Sequence, residues 1–600
     1  MINEDQATAA KWSGAVLLAA PPGSGKTTTL VARMATIKSR CAHDQIIAVS
    51  FTRVSADELQ VRVAAELGEW ANTNVITGTF HSLCKLQLER QYGATVSLIE
   101  EVERNHLIMK AARQLNIPLE EEDAVRLVEA QKNAITLGKP AGSVVGEKLT
   151  HTYQQLLQQS QLLDFQDLIN NALRDMTAGV LKPLPCQHLL LDELQDIDAS
   201  QIEWAAATAR LNGATVFGVG DDDQSIFGFR HAQGQKGMEA LAQAVDAKLF
   251  VLTHNYRSHQ EIVRAATRLI EHNKHRISKR ILAAQGVGGG ITFCRFADAE
   301  HQAAELAGHI ENTPGTWGVL ARNRHLLLPV QAFLSTRGIE HRSVGRTIWQ
   351  ERAVRTYLIA LGIVGILNPR PASKELLFSF VGATEEELDV LRGLNDSAWL
   401  LATRNHLPRA IKTRALLSFK ERFLAWHEFA KCENTTDLMV DGVGEWIKAH
   451  LPGRDKKPSA RDHALVTAAQ KSLGKMKGDL KRRLLTVTRL DAHKLDARIS
   501  LTTFHGAKGL EWDYVWLVST EDSVIPNSKS PIEEERRLFY VAITRARKRL
   551  VISARRGVPS SFLHEAFPAH SSDISSGYLH IGNNHGVTLP PPQCHFAHAT

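Results

Sequence analysis

Long apolar runs are missing from this chain of 600 residues, and none approaches the length needed to cross a bilayer. The N-terminus, Met1-Ile2-Asn3-Glu4-Asp5-Gln6, has neither the basic start nor the apolar stretch of a secretory signal. Cysteine is scarce: Cys41, Cys84, Cys186, Cys294, Cys432 and Cys594 lie far apart with no CxxC spacing. That pattern argues against a disulfide framework and suits the reduced thiols of a cytoplasmic protein. Short-period repeats and long low-complexity segments are also absent. What remains is ordinary globular composition, 44% hydrophobic and 22% charged. One hydrophobic core cannot serve this length, so two to four domains are expected. A net charge of +7 and a pI near 9.0 point toward a polyanion partner, although the excess is dilute over 600 residues.

Short apolar runs at residues 15–19, 45–50, 188–191 and 215–220 read as buried strands of a parallel sheet. Residues 100–177 turn almost wholly helical and interrupt that sheet. A second strand-helix region starts near Gly290, with a strand expected at 316–322. It is interrupted by a helical, partly basic stretch at 366–497 and resumes in strands at 499–504, 514–518 and 550–553. The expected fold is therefore α/β: two parallel-sheet domains, each interrupted by a helical insert. The first domain takes residues 1–90 and 178–265, with its insert at 91–177. The second takes 266–365 and 498–557, with a reduced insert at 366–497. From Val558 the composition shifts to Ser, Gly, Pro and His, and a loosely ordered tail is expected over 558–600.

Ala20-Pro21-Pro22-Gly23-Ser24-Gly25-Lys26-Thr27 follows an apolar strand and precedes a helical pattern from Thr28. The strict P-loop pattern asks for Gly at position 20. The physical parts are present nonetheless. Gly23 and Gly25 allow backbone N–H groups, with those around Pro22, Ser24 and Thr28, to close on phosphate oxygens at a helix N-terminus. Lys26 can reach the β- and γ-phosphates of ATP, and the Thr27 hydroxyl can ligand Mg²⁺. The strand 188–191 ends in Asp192 and Glu193, placing one acid to hold the metal and the next to deprotonate the attacking water. Candidates for the γ-phosphate sensor and the transition-state cations are Gln195, Gln224, Arg257 and Arg545. Taken singly, each of these arginines reads as easily as a solvated surface group.

The order of the motifs carries more. The loop 20–27 is followed by Ser50-Phe51-Thr52-Arg53, Gly78-Thr79-Phe80-His81 and Asp164-Phe165-Gln166-Asp167-Leu168. Then come Leu191-Asp192-Glu193-Leu194-Gln195-Asp196, the stretch Val219-Gly220-Asp221-Asp222-Asp223-Gln224-Ser225-Ile226-Phe227-Gly228-Phe229-Arg230, and Asn255-Tyr256-Arg257-Ser258. Thr503-Phe504-His505-Gly506-Ala507-Lys508-Gly509-Leu510-Glu511 and residues 533–547 complete the series. From about Gln6 to Ser553 the chain resembles the UvrD/Rep/PcrA family of superfamily 1 DNA helicases. The resemblance implies that Gln6 reads adenine, Tyr256 stacks on it and Glu511 binds the ribose. It implies that Gln224 senses the γ-phosphate, and that Arg257 and Arg545 are arginine fingers, one from each motor domain. Phe51, Phe227 and Phe229 match aromatics that stack on bases without sequence preference. Thr79, His81 and His505 match backbone-phosphate contacts, and Thr52 and Arg230 join the same DNA-binding set.

The family pattern is not matched everywhere. The insert at 366–497 is shorter than usual. Phe380-Val381-Gly382-Ala383-Thr384 holds one glycine where relatives carry a duplex-contacting loop, and Glu385, Glu386 and Glu387 follow, which disfavours close approach to a polyanion. Lys471, Lys475, Lys477, Lys481, Arg482 and Arg483 offer a basic substitute or a solvated helix face. Residues 552–563 leave almost no room for the strand-separating hairpin of relatives. His564, His570, His580, His585, Cys594, His595 and His598 match no ordinary zinc spacing, so no metal beyond Mg²⁺ is expected. The reading is an ATP-dependent 3′-to-5′ single-stranded DNA translocase or helicase acting at single/double-strand junctions, weak in solo unwinding, with no membrane role. Alternatives are an ATP-switched DNA clamp that displaces proteins, or a motor working with a separate nuclease, since about 50 residues past the last motif leave no room for one here.

Overall fold

The computed structural model describes residues 2–93, 95–136, 143–344, 348–365, 377–378, 380–392, 411–430, 433–451, 460–476, 478–491, 497–555 and 558–582. Lys477, His585, Cys594, His595 and His598 lie outside the described residues, as do several stretches of the second insert. The chain divides into two compact units, Met1–Gly286 with Arg536–Tyr540, and Val287–Glu535 with Val541–Thr600. Among the described residues no helix is long and apolar enough to cross a membrane.

The first unit is built on a six-stranded sheet of β1 (Val16–Ala19), β2 (Ile46–Ser50), β3 (Val75–Thr79), β4 (His188–Leu191), β5 (Thr215–Gly220) and β6 (Lys248–Val251). The strand order is β3-β2-β4-β5-β1-β6, and every pairing is parallel. β1 and β2 are buried along their whole length. Helices cover both faces of a parallel sheet, so such strands appear as unbroken apolar runs. β3 and β6 are the outer strands and carry Thr, Gly and Lys. The sequence pattern did not announce them. Helices Glu101–Gln114, Glu121–Thr136 and Val144–Gln159 pack around their own core of Ile108, Ala111, Val128, Leu149 and Tyr153. A short parallel pair, β7 (His254–Asn255) with β8 (Leu282–Ala283), follows the sheet.

The second unit contains β9 (Gly290–Arg295), β10 (Trp317–Ala321), β11 (Arg342–Ser343), β12 (Ile499–Thr503), β13 (Trp512–Val518), β14 (Ala546–Ala554) and β15 (Tyr578–Gly582) in the order β11-β12-β10-β13-β14-β9-β15. All pairings are parallel except β15 on β9. A separate helical core holds Tyr357, Leu361, Phe419, Trp426, Val443 and Trp446. Helix Arg352–Val364, which the sequence pattern left with the second sheet, belongs to this helical core. Its apolar residues at 353, 354, 357, 360, 361 and 364 keep helical spacing, and the Tyr357 hydroxyl donates to Val440 C=O at 2.8 Å.

The second insert holds a buried acid, and the expectation of a loosely ordered tail needs correction. The acid is Glu387. Its carboxylate accepts from the Lys412, Thr413 and Thr384 N–H groups at 2.7, 2.6 and 2.9 Å. Burial alone would raise its pKa, but the hydrogen bonds from Thr413, Thr384 and Lys412 outweigh it and hold the acid at about 2. Residues 558–582 of the tail are also more ordered than their composition suggests. Helices Ser561–Ala566 and Ser571–Ser576 lead into β15, which pairs antiparallel along β9. Phe562, Leu563, Ile574 and Leu579 are buried, and these few apolar residues suffice to dock an otherwise polar segment.

Leu563→Ala tests that docking. A buried leucine should cost about 2–5 kcal/mol on truncation, whereas one in a loose tail would change stability by less than about 0.5 kcal/mol. Chemical denaturation of the two proteins reads the difference.

Candidate active site

β1 runs directly into the glycine-containing loop, whose Gly23 and Gly25 have φ of +66° and +81°. Both values lie in the left-handed region that suits glycine. At Gly23 a Cβ would meet the Arg257 Cβ at 2.6 Å, so absence of a side chain lets the segment Asn255–Ser258 press against the loop. Asn255 fastens that contact. Its Nδ2 donates to Pro22 C=O at 2.7 Å, its Oδ1 accepts from Arg257 and Ser258 N–H at 2.9 and 2.8 Å, and Tyr256 N–H donates to Gly23 C=O at 2.8 Å. The helix Lys26–Arg40 starts at Gly25 with no acid in its first turn and no side-chain cap, leaving its N-terminal N–H groups for an anion. Lys26 Nζ lies 3.5 Å from Ala20 C=O, Thr27 is half-buried, and Thr28 is exposed.

Gln6 sits on the helix Glu4–Lys11 and is almost fully buried. Its Nε2 donates to Ser24 C=O at 2.8 Å, while its Oε1 accepts from Asn3 N–H at 2.8 Å in a capping box. Asn3 reaches further and donates to the Tyr256 hydroxyl at 2.8 Å. The Tyr256 ring stays exposed and stacks on His254 with centroids 6.2 Å apart. Gln6 and Tyr256 are thus brought to the same loop, and Asn3 joins them.

β4 ends at the acidic pair. Asp192 N–H donates to Val49 C=O at 2.8 Å, and Asp192 accepts from Glu193 N–H at 2.9 Å. Glu193 holds φ +53°, a left-handed conformation that non-glycine residues adopt rarely and at a cost. Burial first, then the Glu193 carboxylate, raise the Asp192 pKa to about 7, against the pull of the Lys26 ammonium. A buried carboxylate under-compensated in this way, with the Thr27 hydroxyl on the adjoining helix, is a donor set suited to a hard divalent cation.

From Glu193 a chain of amides runs along the sheet edge. Gln195 Nε2 donates to Glu193 Oε2 at 2.5 Å, Gln195 Oε1 accepts from Asp221 N–H at 2.8 Å, and Gln224 Nε2 donates to Asp221 Oδ2 at 2.7 Å. Gly220, at the end of β5, has no room for a Cβ, which would lie 2.8 Å from Gln195 Oε1. Asp221, Asp222 and Asp223 cluster closely enough to hold a metal ion. Side-chain cations already meet them: Arg276 binds Asp223 through two bonds of 2.9 and 2.7 Å, and Lys279 touches all three.

Beyond Gln224 the same loop carries aromatic rings. Phe227 stacks on Phe51 with centroids 5.7 Å apart and 20° between planes, Phe229 meets Phe227 edge-on at 6.0 Å, and the Arg230 guanidinium lies 5.8 and 5.7 Å from the two rings of Phe227 and Phe229. Phe229 is 64% exposed, so the ladder ends in solvent where a base could stack. Thr52 and Thr79 cap helices Arg53–Leu67 and Phe80–Tyr92, so their hydroxyls mark two further helix N-termini. His81 stands edge-on to Phe165 at 5.5 Å. Burial lowers the His81 pKa, with Asp198 and Asp164 only partly opposing, which favours the neutral ring.

In the second unit, His505 follows the C-terminal end of β12, and Glu511 and Arg545 precede neighbouring strands β13 and β14. Arg545 is buried. Its guanidinium donates to Val541 C=O at 2.8 Å, Leu510 C=O at 3.3 Å and the Thr544 hydroxyl at 2.9 Å. Glu511 is ion-paired with Arg547.

Sequence reasoning gave no role to Asn3, Asn255, Arg276 or Lys279, and set Gln195 aside as one of several candidates. Their partners lie up to 253 positions away, and no local pattern distinguishes them. The Asn255 clamp is directly testable. Asn255→Ala would leave three backbone groups without their partner, at about 1–3 kcal/mol each when buried. Binding of a fluorescent ATP analogue should weaken about tenfold or more, with one decade corresponding to roughly 1.4 kcal/mol. Unchanged affinity would mean that the loop holds its shape without Asn255.

Residues 2–243 match the UvrD/REP helicase N-terminal domain, and residues 250–370 and 465–557 match the UvrD-like helicase C-terminal domain. The chain is 28% identical to the ATP-dependent DNA helicase Rep of Escherichia coli (strain K12), across 92% of this chain and 90% of that protein. It is 27% identical to the ATP-dependent DNA helicase PcrA of Bacillus subtilis (strain 168), across 92% and 82%. DNA helicase II of Escherichia coli (strain K12) is 26% identical, across 92% and 84%. With both domain models matched in succession along one chain, and relatives alike over nearly its whole length, the protein belongs to the UvrD/Rep helicase family.

Proposed function

We propose that this protein is a DNA-stimulated ATPase that steps 3′-to-5′ along single-stranded DNA. The observation that carries the reading is the continuity of one sheet edge. The phosphate-binding loop, the Asp192–Glu193 pair and the amide chain to Gln224 lead within three residues to the aromatic ladder of Phe227, Phe51 and Phe229. A change in what Glu193 or Gln224 touches is thereby passed to rings that hold bases, through bonded neighbours rather than at a distance.

In this reading ATP lies with its phosphates over the loop 22–28 and its adenine against Tyr256 and Gln6. Lys26 holds the β- and γ-phosphates, and Glu193 accepts the proton of the attacking water. Thr27 and Asp192 would hold Mg²⁺, which supplies neutralising charge to the phosphates. Gln224 senses the γ-phosphate, Arg257 and Arg545 supply cations to the transition state, and Glu511 meets the ribose. Phe51, Phe227 and Phe229 with Arg230 grip bases, while Thr52, Thr79, His81 and His505 position the backbone. The domains are read as two RecA-like motors at 1–90 with 178–265 and 266–365 with 498–557, with helical inserts at 91–177 and 366–497. The stretch between Ala554 and the helix at Ser561 is too short for a strand-separating hairpin, which supports translocation with weak solo unwinding. The same feature favours, as a second reading, a clamp that displaces other proteins from DNA and turns over slowly.

Poly-dT should stimulate ATP hydrolysis at least tenfold, and more than poly-U. Lys26→Ala should abolish it, and Glu193→Gln should lower kcat by roughly 10²–10⁴ while ATP still binds. A chain whose turnover ignores DNA is not a motor. For direction, streptavidin should be displaced faster from a 5′-biotinylated oligonucleotide than from a 3′-biotinylated one, with little strand separation of a 3′-tailed duplex by the same preparation. The opposite end preference, or efficient unwinding by the monomer, would overturn that part of the reading.

A further inference from the structure

Lys279 is among the most enclosed charged side chains in the first unit, with no solvent exposure. Its Nζ lies 3.2 Å from Asp221 and 2.9 Å from Asp223, and it also bonds Asp222. The ammonium hydrogen-bonds Asp222 and stands within ion-pair distance of Asp221 and Asp223, so one compact cation serves three consecutive aspartates. A planar guanidinium could not divide itself in this way. Ile277 N–H donates to Asp222 Oδ2 at 2.7 Å, and Arg276 takes Asp223 from the other side, so residues 276–279 grip the whole triplet.

Such a cluster is a poor way to gain stability. Desolvating five charges costs about as much as their attraction returns, and apolar side chains of similar volume often serve as well or better. The positions it fixes are another matter. Asp221 accepts from Gln224 and, through its N–H, orients Gln195, which in turn bonds Glu193. The geometry points to Lys279 as a positioning residue for ATP hydrolysis, holding Asp221 so that Gln195, Gln224 and Glu193 stand in the register the reaction needs. This rests on the ATPase reading above and adds a residue outside every motif that supports it.

The test uses the full chain with Lys279→Met, and with Asp222→Asn combined with Lys279→Met. The double variant removes one carboxylate together with the ammonium, so the net charge of the pocket is kept. Steady-state hydrolysis with poly-dT, thermal unfolding and DNA binding are measured on each. Positioning predicts that kcat falls tenfold or more in both variants, with KM for ATP and DNA affinity within threefold of the unaltered protein. It also predicts that the double variant melts close to it. Wild-type kcat in the double variant would reduce Lys279 to charge balance. A rise in KM with kcat unchanged would move it to nucleotide binding, and failure of both variants to fold would assign it to stability. Each of these results overturns the inference. An unaltered chain without DNA-stimulated hydrolysis would instead sink the motor reading, and this inference with it.

Discussion

Strand direction governs where chemistry can happen in the first unit. Six strands run parallel, so their C-terminal ends, and the loops that leave them, emerge along a single edge. With β4, β5 and β1 adjacent, the acidic pair, the loop around Gln224 and the phosphate-binding loop are neighbours by topology before any side chain is chosen. β2 and β3 extend the same edge and deliver Phe51 and His81. β6 leads on to Asn255, which turns back and clamps the glycine loop. An antiparallel sheet would have sent half of these groups to the opposite end.

The edge is expensive to maintain. Asp192 is buried beside Glu193, Glu193 sits in a left-handed conformation, and three more acids follow at 221–223. Carboxylates packed this densely repel one another and lose hydration, and burial and the Asp223 carboxylate push Asp222 up to about 6. Two devices contain the strain. Around Asp221–Asp223 the structure supplies permanent cations, Lys279 and Arg276. Around Asp192 the compensation comes chiefly from Lys26, with smaller help from the Glu193 N–H and Arg62, and it is incomplete. The contrast separates a cluster whose charge the protein itself largely balances from one left with an excess of negative charge.

Legibility in the sequence followed local chemistry. β1, β4 and β5 were visible because a fully buried strand is a continuous apolar run, and Gly23-Ser24-Gly25-Lys26 was visible because a tight turn at a helix N-terminus needs those residues in that order. β3 and β6 were not, since edge strands tolerate Thr, Gly and Lys. β15 was hidden by its surroundings: Tyr578-Leu579-His580-Ile581 alternates as a strand should, but lies among Ser, Gly and His whose bulk composition resembles a loose tail. The enclosure of Glu387 was not legible, because nothing nearby reveals that Thr384, Lys412 and Thr413 would surround it. The aromatic residues could be named singly, yet their stacking depends on bringing residue 51 to residue 227.

The residues that sequence reasoning passed over, or named without settling a role, share one property: they act on other protein groups. Asn255 grips Pro22, Gln195 joins Glu193 to Asp221, and Lys279 binds three acids of the β5 loop. A residue that meets phosphate or base must be of a type dictated by that ligand, and the ligand's chemistry can be recognised in a string of letters. A residue that holds another residue answers only to local geometry, and Lys279 in the string Arg276-Ile277-Ser278-Lys279-Arg280 looks like part of a solvated basic stretch. Its burial contradicts that reading, because a lysine with no access to water and three carboxylates around it has a structural or mechanical reason to be there. In this fold the groups that set catalytic geometry are therefore to be sought behind the motif residues, among buried charges whose partners lie on the loops between strands.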